Sequence, residues 1–191
     1  MSEPVLIPGG RDVAGRLDRA DADSVVVACP PDPRAGGSRS DPRLRAVSDA
    51  LGREVACLRF DYGPWDDARG PALCTTDAEN ALSWANDRFD RVGLFGYSFG
   101  AVVALRTAAE AGPAACSVLA PPADAADALG AVDCPVQVVV GDRDTAVDPT
   151  PVVDRAGALD HPVETLPATH QFRLARDRMG RLVAAFLSRR P

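Results

Sequence analysis

Residues 92–110 read as an apolar strand, Val92-Gly93-Leu94-Phe95, running into Gly96-Tyr97-Ser98-Phe99-Gly100 and on into the helix-forming stretch Ala101 to Glu110. Glycines two places before and two places after a serine permit a strand-to-helix turn too tight for side chains at those positions. A serine at the apex of such a turn is strained and exposed, with a helix N-terminus behind it. The run therefore demands a fold in which a buried strand feeds a helix. It also marks Ser98 as a candidate nucleophile.

The rest of the chain repeats that alternation. Two leading strands are expected at Pro4 to Ile7 and Val13 to Ala20, then strands at Val25 to Cys29, Val55 to Phe60, Ser117 to Leu119, Val136 to Val140 and Val163 to Leu166. Helices are expected between them. One starts at Asp41-Pro42, an N-cap followed by proline at the first helical position, and carries Leu44, Val47 and Leu51 on one face. Others are read around Asp77 to Asn86, Ala123 to Leu129, Pro151 to Leu159 and Gln171 to Ser188. Valine- and leucine-rich strands alternating with helices imply an α/β fold, a three-layer α/β/α sandwich around a mostly parallel sheet of about eight strands. With 191 residues, one core and a single domain spanning residues 1–191 are expected.

In such sheets ligands bind beyond the carboxyl ends of the strands, so a catalytic residue must follow a strand rather than precede one. A serine hydroxyl needs a base to take its proton and a carboxylate to orient that base. Of the two histidines, His161 precedes the last strand and His170 follows it. Seven extended residues span about 20 Å, so the two cannot substitute for each other, and His170 is the expected base. The carboxylate should follow the preceding strand, where Asp142, Asp144 and Asp148 compete in Gly141-Asp142-Arg143-Asp144-Thr145-Ala146-Val147-Asp148. Order along the chain does not choose among them.

These segments resemble the α/β-hydrolase superfamily, in which the triad runs Ser, Asp, His. Gly141 to Val147 is similar to the GxxDxxV run of dienelactone hydrolase-like and carboxylesterase-like members, and the match implies Asp144 as the acid. Pro30-Pro31-Asp32-Pro33-Arg34-Ala35-Gly36-Gly37 and Arg59-Phe60-Asp61-Tyr62-Gly63 resemble the HPHPxxGG loop and the RFNFRG run of small members that lack a lid. The resemblance extends from Val25 to Phe172. It implies an oxyanion hole made from the N–H after the nucleophile, that of Phe99, and a second N–H from the proline-rich loop. Proline has no N–H, so elimination leaves Asp32, with Arg34 as the other candidate. Both histidines of the family loop are missing here, and one is replaced by Asp32. Its carboxylate would oppose an oxyanion unless it turned away to cap the Gly36-Gly37 turn.

Between Pro121 and Cys134 there is no room for a cap domain, so an open, shallow site is expected from the loops at Pro30 to Ser40, Gly63 to Thr75 and Ala120 to Asp127. Trp65 falls in the middle loop, as a binding surface or as an anchor. Arg34, Arg39, Arg69 and Arg143 fall near the mouth, and Arg34, Trp65 and Arg69 are candidate substrate contacts, with a carboxylate-bearing substrate as one possibility. The expected function is hydrolysis of a small-molecule ester or thioester through an acyl-enzyme. An acyltransferase with the same triad and a non-catalytic binding protein of the same fold are the alternatives.

Charge narrows the partners. All 21 basic residues are Arg, Asp outnumbers Glu by 22 to 5, and the net charge is −6. Nucleic acid and anionic membrane are not expected partners, because a phosphate backbone requires clustered positive charge. No apolar run reaches membrane-spanning length and no signal peptide is read, so a cytoplasmic location is expected. Cys29, Cys57, Cys74, Cys116 and Cys134 form no CxxC pair and read as small core residues. Neither a metal nor a cofactor is expected.

Overall fold

The computed structural model describes residues 2–11 and 13–189. Eight strands form one sheet: β1 (Ser2–Ile7), β2 (Val13–Asp18), β3 (Ser24–Cys29), β4 (Val55–Phe60), β5 (Arg91–Tyr97), β6 (Cys116–Leu119), β7 (Val136–Gly141) and β8 (Val163–Leu166). Their spatial order is β1-β2-β4-β3-β5-β6-β7-β8. The first two strands are antiparallel to their neighbours, and the six from β4 to β8 in that order are parallel. The chain leaves β3 toward β4 on one side and reaches β5 on the other. That reversal opens a crevice beyond the carboxyl ends of β3 and β5.

Six helices cover the sheet: α1 (Pro42–Ala50), α2 (Gly70–Asn86), α3 (Phe99–Ala111), α4 (Ala125–Leu129), α5 (Thr150–Ala158) and α6 (Arg176–Ser188). Strand alternation divides the core into two layers. Val25, Val27 and Cys29 of β3 join Leu58, Leu94 and Val138 beneath α2 and α3, while Val26 and Ala28 join Cys57, Phe95 and Val139 beneath α1 and α6. Both faces are therefore apolar, which is why β3 reads as a continuous apolar run, and β4 and β7 as runs each broken by one polar residue, instead of alternating. All five cysteines are buried and unpaired. No helix among the described residues is long and apolar enough to cross a membrane.

Two helix starts differ from the sequence reading by more than two residues, and both lie near the crevice. Helix α2 begins at Gly70, not near Asp77, because Pro71 fits a first helical turn. The expected Gly63–Thr75 loop thus shortens, and the Trp65 ring lies against Gly70, where a Cβ would meet it at 2.4 Å. Helix α6 begins at Arg176 instead of Gln171. Phe172 takes a positive φ of 49° and is fully buried, so the segment after His170 turns to bury an aromatic ring before any helix starts.

Candidate active site

Ser98 stands between β5 and α3 with φ 56° and ψ −118°, a backbone that residues with a side chain rarely hold. Its N–H donates to the Leu119 carbonyl at 2.9 Å, and its carbonyl accepts from Ala101 at 2.8 Å. The flanking glycines have separate reasons. A Cβ on Gly96 would come within 2.1 Å of the Gly100 carbonyl oxygen, so the first glycine permits the turn itself. A Cβ on Gly100 would come within 2.3 Å of the Cys29 carbonyl oxygen and 2.4 Å of that of Pro30. The second glycine thus lets the loop after β3 press on the elbow.

The loops after β7 and β8 are zipped together. Asp142 N–H donates to Leu166, Arg143 N–H donates to Ala168, and Ala168 N–H donates back to Asp142 Oδ1. This brings Asp144 and His170 into contact: His170 Nδ1 lies 2.7 Å from Asp144 Oδ2, and His170 Nε2 lies 3.0 Å from Ser98 Oγ. The other carboxylate oxygen of Asp144 accepts the N–H groups of Ala146 and Val147. Asp142 pairs with Arg143, and Asp148 accepts the Thr150 N–H at the start of α5, so both are engaged away from the imidazole. His161 precedes β8 and donates its N–H to Ala156, at the far end of the strand from His170.

Behind His170 lies a bracket with no signature in the sequence. Tyr97 donates its hydroxyl to the His170 carbonyl at 3.1 Å, and the two ring centroids are 5.3 Å apart. Burial pushes the Tyr97 phenol up to about 12, which keeps it a donor. The Arg43 guanidinium lies 4.3 Å from the centre of the Tyr97 ring, donates to Asp41 at 2.6 Å and reaches Gln171 Oε1 at 3.0 Å. Asp41, legible in the sequence as a helix cap, also fills that role, through the Arg43 N–H.

On the other side of Ser98, the loop after β3 is tied down at several points. Tyr62 donates its hydroxyl to the Pro30 carbonyl at 3.1 Å, Arg59 donates to the Arg39 carbonyl at 2.7 Å, and Asp61 accepts the Arg39 N–H and pairs with its guanidinium. These ties come from the Arg59-Phe60-Asp61-Tyr62 run, whose position in the resemblance was legible but whose task was not. Asp32 caps a short 3₁₀ turn, Pro33–Ala35. The expected cap on Gly36-Gly37 is made differently: the Asp32 carbonyl accepts the Gly37 N–H at 2.9 Å, while the carboxylate turns onto Arg34. The Arg34 N–H is held by Asp32 Oδ1 at 2.9 Å, which removes it as an oxyanion donor. The Asp32 N–H makes no hydrogen bond among the described residues, and the Phe99 N–H, first in α3, has no acceptor within its helix.

The arginines expected near the mouth are all paired. Arg34 pairs with Asp32, Arg39 with Asp61, Arg69 with Asp66 and Arg143 with Asp142, so the anionic substrate considered from the sequence finds each of these cations already partnered. Trp65 anchors its loop. Its indole N–H donates to Asp67, its ring meets Phe99 at 6.3 Å, and Arg34 lies over it at 4.3 Å. Ser98, Phe99 and His170 are partly exposed, and only the five-residue α4 interrupts the path from β6 to β7. No group of three or more His, Cys, Asp or Glu side chains among the described residues is arranged to hold a metal.

No family model matches the sequence, and no curated protein is similar enough to count as a relative. Solved structures do match. A serine hydrolase homologue from Coxiella burnetii is 22% identical with a TM-score of 0.84, covering 97% of each chain. A serine hydrolase without lid from Xanthomonas campestris is 25% identical with a TM-score of 0.82, covering all of this chain and 95% of that one. A dienelactone hydrolase from Anabaena variabilis is 21% identical with a TM-score of 0.81, covering all of this chain and 98% of that one. Sheet order, the sharp turn at Ser98 and likeness along the whole chain agree: this protein has the α/β-hydrolase fold, in its form without a cap domain.

Proposed function

We propose that this protein is a serine hydrolase that cleaves a small-molecule carboxylic ester or thioester through an acyl-enzyme. The observation that carries the reading is the unbroken hydrogen-bonded chain Ser98–His170–Asp144 at the carboxyl ends of β5, β7 and β8. The serine-hydrolase character of the Coxiella and Xanthomonas proteins accords with it.

The steps follow from the distances. His170 donates its Nδ1–H to Asp144, which leaves Nε2 unprotonated and facing the Ser98 hydroxyl. As Ser98 Oγ attacks the acyl carbon, its proton passes to Nε2, and the imidazolium is stabilised by the Asp144 carboxylate. The carbonyl oxygen gains charge and is received by the N–H groups of Phe99 and Asp32. Collapse expels the alcohol or thiol, which takes the proton back from Nε2. Water then repeats the attack on the acyl-Ser98 ester and releases the acid.

Labelling by a fluorophosphonate probe tests the reading, in low salt and in molar KCl because the surface is acidic. Wild-type protein is expected to label and Ser98→Ala is not. A wild type that fails to label in both conditions removes the reading. A panel of esters and thioesters graded by acyl length and charge then defines the substrate class. Product analysis with an added alcohol or thiol acceptor separates hydrolysis from acyl transfer.

A further inference from the structure

Asp32 puts a carboxylate in the loop proposed to bind an oxyanion, and the structure surrounds that carboxylate in an unusual way. Oδ1 accepts both the Arg34 N–H at 2.9 Å and Arg34 Nε at 3.1 Å, and Oδ2 accepts Arg34 Nη2 at 2.7 Å. A fork of this kind fixes the carboxylate's orientation as well as its charge. The guanidinium is in turn laid over the Trp65 indole at 4.3 Å, and Trp65 meets Phe99, the residue after the nucleophile, at 6.3 Å. The loop is pressed to the elbow at Cys29 and Pro30 by the close approach of Gly100. The chain Asp32–Arg34–Trp65–Phe99 therefore closes back on the elbow, although Arg34 itself is largely exposed.

We infer that Arg34 is a positioning residue: it holds the Asp32 carboxylate turned away from the oxyanion site and cancels its charge, with Trp65 holding Arg34 in place. This rests on the serine-hydrolase reading and deepens it. Arg34 touches no reacting atom in this account. It makes a loop with an acid at a position where the related family carries histidine compatible with negative charge developing on the substrate. The hydrogen bonds from Arg34 keep the Asp32 carboxyl below the usual carboxylate range, so the acid carries a charge near neutral pH that Arg34 offsets.

The test uses 4-nitrophenyl acetate, a neutral ester, and a fluorophosphonate, both of which develop negative charge on oxygen during attack by serine. Arg34→Ala is expected to lower kcat for the ester, and the labelling rate, by about tenfold with little change in KM, the scale of one uncompensated charge near a solvent-accessible site. Asp32→Asn combined with Arg34→Ala is expected to recover most of that loss, because asparagine keeps the acceptor and drops the charge. Trp65→Leu is expected to fall in the same direction by a smaller factor. Thermal unfolding of each variant separates these effects from loss of fold. Wild-type rates in a folded Arg34→Ala, a loss that Asp32→Asn does not relieve, or a loss confined to KM each overturn the inference while leaving the hydrolase reading intact. A wild type that neither labels nor turns over esters overturns both.

Discussion

The two sides of Ser98 are built by different physics. On the base side, the Asp144 carboxylate is 1% exposed, and the buried Tyr97–Arg43–Asp41 bracket stands behind the partly exposed imidazole of His170. On the oxyanion side, the Asp32–Arg34 pair stands in partial solvent, with the arginine side chain 59% exposed. Burial makes each contact on the first side strong and expensive to break, whereas solvent and salt weaken every charge on the second. Under the proposed mechanism, packing secures the orientation of the base, and local pairing controls charge at the oxyanion.

The largest effects should come from the base side. Ser98→Ala, His170→Ala and Asp144→Asn should each lower kcat by about 10⁴-fold or more while the fold survives, measured by ester hydrolysis beside thermal unfolding. Any of the three retaining near-wild-type activity would break the comparison at its strongest point. Arg43→Met should destabilise the protein by about 3 kcal/mol, because Asp41 is left buried without its cation, and denaturant unfolding reads this directly. Tyr97→Phe is gentler. It removes one hydrogen bond to the His170 carbonyl, and kcat should drop several-fold with KM nearly constant.

Salt sharpens the contrast further. The deficit of Arg34→Ala should shrink in molar KCl, where screening acts over about 3 Å, while that of Asp144→Asn should not. The smallest effect belongs to Asp18, which braces the oxyanion loop indirectly: it accepts from Ser48 and Arg59, and Arg59 holds the Arg39 carbonyl. Burial works against the Asp18 carboxylate, but the hydroxyls of Ser2 and Ser48 and the Arg59 guanidinium together keep its pKa below 3.8. Its folded value being depressed, the stabilisation is present above that pH and is lost as pH falls through the lower folded value. Asp18→Asn should therefore lower stability near neutrality and flatten the fall in melting temperature below pH 4.

Most of the fold was legible because its signals are local. Continuous apolar runs, the Asp41-Pro42 helix start and the glycines around Ser98 each act within a few residues, so β3, α1 and the elbow lie where they were read. The helix starts at Gly70 and Arg176 are less legible. At Gly70 the signal is the single Pro71 in the first turn, within a run of loop-forming residues, and the need to bury Phe172 postpones α6.

The same division runs through the site. Which serine is strained into exposure and which histidine lies at the correct sheet edge can be read from the residues alone, since both follow from chain direction and strand period. That the Asp32 carboxylate turns to Arg34, that Arg34 rests on Trp65, and that Arg43 stands behind Tyr97 follows from the packing of separate segments. A side chain's charge is written in the sequence. Where that charge points depends on partners such as Trp65 and Tyr97, brought to it from separate strand ends by the packing of the sheet.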